Sequence, residues 1–191
     1  MEALTGIITA FGLSGSAGLN AYIPLMLVAV LGRLEVIKLS SPFDILTSWP
    51  AIIAIGALLV IELVVDKVPG ADHVNDVVQT FVRPAAGAVL FAANTGVITG
   101  IDPTVALVIG LVLAMGVHGA KVATRPVVNA TTMGVGAPFI SLAEDAVSAI
   151  GSVLAIFFPV LFLFFAAALT FVIWRVIKGV RSVKRKLANE G

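Results

Sequence analysis

The feature that most constrains this chain is a pair of very long uncharged runs, one near each end. Ala3–Gly32 and Ala146–Trp174 hold no Asp, Glu, Lys or Arg over 30 and 29 residues. A helix that crosses a bilayer needs about 20 consecutive apolar residues, because the hydrocarbon core is about 30 Å thick. Each run is therefore long enough to cross a membrane.

The composition agrees with the two runs. Of the 191 residues, 59% are hydrophobic and 12% are charged, and the mean hydropathy is +1.10. Soluble domains carry about 25% charged residues, and a water-soluble domain of this size could not bury so much apolar surface. These values exclude a cytosolic enzyme, a disordered chain and a nucleic-acid-binding protein, and the absence of cysteine excludes a disulfide framework and a thiolate metal site.

Three further apolar stretches lie between the long runs, so we expect about five membrane spans. The uncharged but polar segment Val127–Ala143 is better suited to a re-entrant or interfacial position than to a sixth span. The predicted fold class is an all-α, polytopic transmembrane helix bundle, with one transmembrane domain (1–174) and a basic cytoplasmic tail (175–191). The five predicted spans are Ala3–Gly32, Trp49–Val68, Pro84–Ile101, Pro103–Ala120 and Ala146–Trp174.

The basic residues predict an orientation. Six of the twelve Lys and Arg residues follow Trp174, and such clusters stay in the cytoplasm. With five spans, this places the N-terminus outside and the loop Arg33–Ser48 inside. We expect a bacterial inner (plasma) membrane protein whose C-terminus is cytoplasmic.

The first long run leaves two interpretations open. It contains several Gly and Ser residues, then Asn20 and Pro24. It is either one tilted helix with a close-packing face, or a discontinuous helix whose freed backbone groups line a site, as in transporters.

Two charged stripes follow the second and fourth predicted spans. Glu62 and Asp66 are four residues apart, and His118, Lys121 and Arg125 are three and four apart, so each set shares a helix face. In the five-span topology both stripes lie near the outer membrane surface. We expect them to pair, because a lone charge at bilayer depth costs at least about 2.5–3.5 kcal/mol.

More polar residues follow the same two spans. We expect a short helix that begins near Asp72 and ends at Phe81, and carboxylates in the first turn of the last span. The candidate ion- or substrate-binding residues are Asn20, Glu62, Asp66, Asp72, His73, Asp76, Arg83, His118, Lys121, Arg125, Asn129, Glu144 and Asp145.

Several functions fit this charged cluster. It is a buried ion-pair network that locks the helices together, a site for transport or permeation, or a site for an anionic lipid headgroup; a metal site at Asp72, His73 and Asp76 is a weaker alternative. We adopt a small transporter or channel-like protein for an ion or solute. We expect no enzymatic activity, catalytic residue, metal or cofactor, and membrane lipids but no nucleic acid as partners; homo-oligomerisation stays open.

Four motifs resemble a known family. They are Ala17-Gly-Leu-Asn-Ala-Tyr-Ile-Pro24, Asp66-Lys-x-Pro-x-x-Asp-His73, Thr80-x-x-Arg-Pro-x-Ala-Gly87 and His118-x-x-Lys121. Together they are similar to domain of unknown function 4126, a family of small multi-pass membrane proteins from bacteria and plants. The resemblance covers essentially the whole chain and implies a polytopic membrane protein, but it brings no activity or substrate.

Overall fold

In the computed structural model, which describes residues 2–65, 71–95, 100–132 and 136–189, every regular element is helical. Seven α-helices and one short 3-10 helix, Phe43–Thr47, occur within these ranges. The α-helices are α1 (Glu2–Leu19), α2 (Tyr22–Arg33), α3 (Trp49–Val65), α4 (Ala71–Thr95), α5 (Pro103–Thr132), α6 (Ala137–Phe157) and α7 (Pro159–Asn189).

The first long apolar run is a discontinuous helix, the second of the two interpretations left open by the sequence. Helix α1 ends at Leu19, and the chain turns back through Asn20 and Ala21 into α2. Pro24 lies in the first turn of α2, where proline breaks no helical hydrogen bond. The contacts with α4 show this reversal. Helix α1 packs antiparallel to α4, whereas α2 runs beside α4 in the same direction.

Helices α1, α4 and α5 pack closely around glycine. The hydroxyl of Ser14 on α1 lies 3.1 Å from the carbonyl oxygen of Gly87 on α4 and 2.8 Å from that of Gly110 on α5. A Cβ on Gly87 would overlap Ala114. Small residues are needed here because the three backbones touch, and this contact holds the core of the bundle.

The second long apolar run also turns back. Phe158 is the one non-helical residue between α6 and α7, and proline follows it, so the helix cannot continue unbroken. An added Cβ at Gly151 would lie 3.5 Å from the ring of Phe165, whereas a straight helix would separate these positions by about 21 Å. The predicted single span Ala146–Trp174 is therefore wrong, because α6 and α7 run in opposite directions.

The two ends of the bundle are formed by different segments of the chain. At the first, the loop end, the segment after Arg33 meets the last turns of α4, where the Ser40 backbone N–H donates to the Ala93 carbonyl at 3.0 Å. At the second, the turn end, the Asn20 turn lies among α3, α4, α5 and α6. Helix α7 reaches the turn end at Thr170 and continues toward Asn189.

This arrangement differs from the predicted five-span topology. The loop Arg33–Ser48 lies at the loop end, whereas the basic part of α7 after Trp174 extends from the turn end, so the two basic segments predicted to be cytoplasmic lie at opposite ends of the bundle. The sequence counted each long uncharged run as one crossing, but each run reverses direction. Glu62, near the end of α3, consequently lies at the turn end, from which the basic part of α7 extends.

Two other predicted elements differ from the structure. The polar segment Val127–Ala143 is not a separate re-entrant element, because α5 extends through Thr132 and α6 begins at Ala137. The predicted short helix ending at Phe81 and the span after it form one helix, α4, with Pro84 inside it. Local turn and proline signals suggested boundaries at these places, but packing against α1 and α5 carries the helices through them.

The distribution of side chains differs from that of a soluble protein. Arg83 and Glu62 are 0% and 1% exposed, whereas Phe81 and Phe164 are 76% and 68% exposed. Soluble proteins almost never bury charged residues fully and seldom expose large contiguous apolar surfaces. Two stretches, Pro103–Thr124 and Pro138–Phe157, are long and apolar enough to cross a membrane.

Candidate functional site

The candidate site is built around the turn between α1 and α2. Asn20 is 1% exposed, and its side-chain oxygen accepts hydrogen bonds from the N–H groups of Tyr22 at 3.0 Å and Ile23 at 3.2 Å. It thereby satisfies N–H groups that a helix start leaves without a helical partner. Its amide nitrogen donates to Asp145 Oδ1 on α6 at 2.9 Å, so one side chain caps α2 and ties the turn to α6.

The end of α1 is covered by a buried lysine. Lys121 Nζ on α5 donates to the Leu19 carbonyl oxygen at 3.1 Å and lies 2.8 Å from Glu144 Oε2 on α6. A helix leaves its last carbonyls without intrahelical partners and carries partial negative charge there, so a cation is well placed. The hydroxyl of Ser148 adds a hydrogen bond to the Ser16 carbonyl at 3.0 Å.

A chain of polar contacts crosses from α3 to α5 through α4. Arg83 Nη2 donates to Glu62 Oε1 at 2.9 Å, and Arg83 Nη1 lies 3.2 Å from His118 Nδ1. The other ring nitrogen of His118 lies 3.1 Å from the Thr80 hydroxyl. Arg83, Glu62 and His118 are all buried, so a carboxylate, a guanidinium and an imidazole are in successive contact away from solvent.

Tyr22 and Gln79 join this chain to the turn. Tyr22 is the first residue of α2, and its hydroxyl hydrogen-bonds the Gln79 side chain near Glu62 and Arg83. Gln79 is 2% exposed and lies one helical turn before Arg83 on α4. Its side-chain oxygen is buried and has no hydrogen-bond partner among the described residues, so this amide retains an acceptor for a water or a small ligand.

The structure brings many of the predicted site residues together. The seven that meet around the turn are Asn20, Glu62, Arg83, His118, Lys121, Glu144 and Asp145. Asp66 lies outside the described residues. Five others lie in the first turns of α4 or the last turns of α5, but their side chains are outside the described part of the chain: Asp72, His73, Asp76, Arg125 and Asn129.

The predicted pairing of the two stripes includes Asp66 and Arg125, whose side chains lie outside the described part of the chain. Of the other members, Glu62 pairs with Arg83 of α4, whose guanidinium also lies beside His118, while Lys121 pairs with Glu144 of α6. Among the side chains that are described, no group of three or more His, Asp or Glu residues is close enough to hold a metal ion.

Some residues of the site were not among the sequence candidates. Tyr22, Gln79 and Ser148 are uncharged, and only their spacing could have identified them. Gln79 is four residues before Arg83, and Ser148 is four after Glu144, so each lies on the same helix face as a candidate residue.

A cavity of about 450 Å³ lies beside the turn, between α1, α5, α6 and α7. Its floor is formed by Gly12 and Gly15, and its walls are mostly apolar. Lys121 and Glu144 lie on its lining as well. The ion pair at the end of α1 therefore borders a space large enough for a small organic molecule.

The family comparison agrees with the motifs around this site. Residues 7–179 match the family model described as Domain of unknown function (DUF4126). No curated protein and no solved structure matches the chain. The matched region includes the Asn20 turn, the Glu62–Arg83–His118 chain and the Lys121–Glu144 pair, and by this match over most of its length the chain belongs to the DUF4126 family.

Proposed function

We propose that the protein is an integral membrane protein that moves a small ion or solute through a charged site at the Asn20 turn. The observation that carries this proposal is the packing of buried ionisable side chains against a broken helix. Transporters use discontinuous helices in this way, because the freed carbonyl and N–H groups can bind an ion or a polar substrate inside the membrane.

Membrane insertion is supported by the distribution of side chains. Large apolar residues cover the outside of the bundle, and charged side chains such as Glu62 and Arg83 are buried inside it beside apolar ones. In water, such a surface would associate or aggregate. In a bilayer it is the surface that lipid requires, and intramembrane charges face the interior and pair with one another.

The proposed topology has five crossings, α3 to α7, and one hairpin. Helices α1 and α2 enter from the loop end, turn at Asn20 and return to the loop end. With 12 residues, α2 spans about 18 Å and is too short to cross a bilayer alone. By the positive-inside rule we infer that the basic end of α7 is cytoplasmic. The turn end then lies in the cytoplasmic half of a bacterial inner membrane, opposite to the predicted outer position of the charged cluster.

The polar chain has the chemistry of a proton or ion relay. Histidine gains and loses a proton near neutral pH, and His118 contacts both Arg83 and Thr80. A proton on His118 would add a second positive charge beside the guanidinium of Arg83 and weaken that contact. Loading and release at His118 would therefore alter how firmly Arg83 holds Glu62, which couples a proton to the opening of the site.

Flux in liposomes tests this proposal. Purified protein should move protons or a small ion at a rate that depends on pH, and Glu62→Gln should reduce that rate because it removes the charge at nearly constant shape. Asp44→Asn is the matched control, since Asp44 is an exposed carboxylate in the loop-end 3-10 helix. If wild-type liposomes show no flux above empty liposomes for protons, alkali cations, halides or small neutral solutes, the transport proposal is wrong.

A structural lock is the second candidate function of the same residues. It is favoured by the direct contacts between buried groups, because Glu62 pairs with Arg83, Lys121 with Glu144 and Asn20 with Asp145. A pure lock needs only opposite charges in contact, whereas a transport site needs particular chemistry at particular positions. An exchange of the two charges separates these functions.

A further inference from the structure

The cavity between α1, α5, α6 and α7 has a chemistry that the charged chain does not use. Its walls carry apolar side chains from three helices, among them Val117, Val147, Phe165 and Leu169. Few polar groups line the cavity, as in sites that bind largely apolar molecules. The occupant must therefore be mostly hydrocarbon.

The cavity opens to the outside of the bundle. Ala120, Ala143 and Thr170 line it and are exposed. The exterior of α5, α6 and α7 is apolar, so the medium at this opening is lipid if the chain is inserted as proposed. A hydrocarbon chain can consequently enter from the side without crossing water.

The polar groups are concentrated toward the turn end of the cavity. There Lys121 and Glu144 form their ion pair, and Thr124 and Thr170 add hydroxyl groups. The Lys121 side chain is 1% exposed, whereas that of Glu144 is 13% exposed. The accessible member of the pair is the carboxylate, which favours a cationic partner over an anionic one.

We propose that this cavity binds one acyl chain of a bilayer phospholipid, with the ammonium of an ethanolamine headgroup at the Glu144 carboxylate. The chain runs from the turn end along α6 and α7 toward Phe162. The site rests on the proposed membrane insertion but not on transport, because it needs neither flux nor the Glu62–Arg83–His118 chain.

Gly15 offers a direct test, because a Cβ built on it meets no atom within 4 Å while the residue lines the cavity. Gly15→Leu adds a side chain at the lining of the cavity, and its Cβ displaces no neighbour. Gly116→Leu is the matched control, since Gly116 also has nothing within 4 Å and does not line the cavity. Both changes replace an unobstructed helical glycine by leucine, so they differ chiefly in the space that they fill.

The experiment uses the full-length protein in nanodiscs that contain a phosphatidylethanolamine with a photoreactive group on its acyl chain. Peptide mass spectrometry locates the crosslinks, and an identical chain on phosphatidylglycerol is the headgroup control. We expect crosslinks on Val147, Phe165 or Leu169. Excluding two or more methylenes by Gly15→Leu should lower this labelling about tenfold, and Gly116→Leu should leave it unchanged.

Three results would overturn the proposal: no crosslink at the cavity, equal labelling of Gly15→Leu and wild type, or labelling by phosphatidylglycerol at least as strong as by phosphatidylethanolamine. Glu144→Gln should remove the preference for ethanolamine while keeping the crosslinks at the apolar wall. Labelling without flux would refute transport alone, and flux without labelling would refute the lipid site alone.

Discussion

The buried pair of Glu62 and Arg83 gives the sharpest prediction, because both partners are inaccessible and their contact is short. The two side chains are 1% and 0% exposed, and the guanidinium nitrogen lies 2.9 Å from the carboxylate oxygen. Glu62→Gln and Arg83→Met each remove one charge and retain most of the side-chain volume. Each variant leaves the other partner charged inside the bundle.

The expected loss of stability is large. At an effective dielectric constant of about 20, two unit charges at 2.9 Å attract each other by about 6 kcal/mol. Desolvation offsets much of that gain in the intact pair, but removal of one partner leaves the other buried without the opposite charge, which costs about 3–5 kcal/mol. For a chain of this length, each kcal/mol lowers the melting temperature by about 2–4 °C, so a decrease on the order of 10 °C is expected.

Thermal unfolding in a mild detergent, followed by circular dichroism, measures this effect. Asp44→Asn controls for the loss of an exposed carboxylate and should change the melting temperature little. The double variant Glu62→Gln/Arg83→Met should lose less than the sum of the single losses, because neither charge is then stranded. Single losses below about 1 kcal/mol, or additive losses, would refute the view that the pair is a coupled buried contact.

The charge-swapped variant Glu62→Arg/Arg83→Glu then separates the two proposed roles. A pure lock regains much of the stability that the single variants lose and keeps whatever activity the protein has. A transport site loses flux even where stability recovers, because Arg83→Glu leaves no guanidinium at position 83 to contact His118. Recovery of both stability and flux would favour the lock and contradict a relay through His118.

Three further predictions concern other parts of the fold. In this cysteine-free chain, Ser41→Cys and Arg175→Cys should react with a membrane-impermeant maleimide from opposite sides of oriented vesicles, and labelling from one side would disprove the opposed ends. The N–H groups of Thr104 and Val105 lower the pKa of Asp102 at the start of α5. This cap therefore stabilises the fold above the ordinary carboxyl pKa of 3.8, and the stabilisation is lost as the pH falls through the lowered value. The difference in melting temperature between wild type and Asp102→Ala should shrink in acid, and a constant difference from pH 7 to pH 3 would refute this. Gly87→Ala should cost about 1–3 kcal/mol because its Cβ overlaps α5; a neutral result in thermal unfolding would contradict that close contact.

Much of the helical class and part of the site could be predicted from the sequence, since both depend on local signals. Long apolar runs identify helices, and an Asn among small residues before Pro24 is a recognisable break. Glu62, His118 and Lys121 are conspicuous because charges are scarce. These residues were found without any knowledge of tertiary contacts.

The pairing and the direction of the helices could not be predicted in the same way. Whether Glu62 meets Arg83 or Lys121 depends on which helices are neighbours, and apolar periodicity does not encode that. Phe158 is one of several phenylalanines in an apolar run and does not stand out in the sequence, yet the chain reverses at its backbone. Gln79 and Tyr22 contribute through position alone, because an uncharged amide and a phenol carry little signal in a sequence.

The reversals at Asn20 and Phe158 have a consequence for topology mapping. Each adds one change of direction that a count of apolar segments omits. Because there are two such omissions, the two termini lie on the same sides as the count predicts. Reporter fusions at both termini would therefore give the same answer for the predicted and the proposed topology. Tags in the connections between residues 33 and 145 tell the two apart, because each of these connections lies on opposite sides in the two topologies.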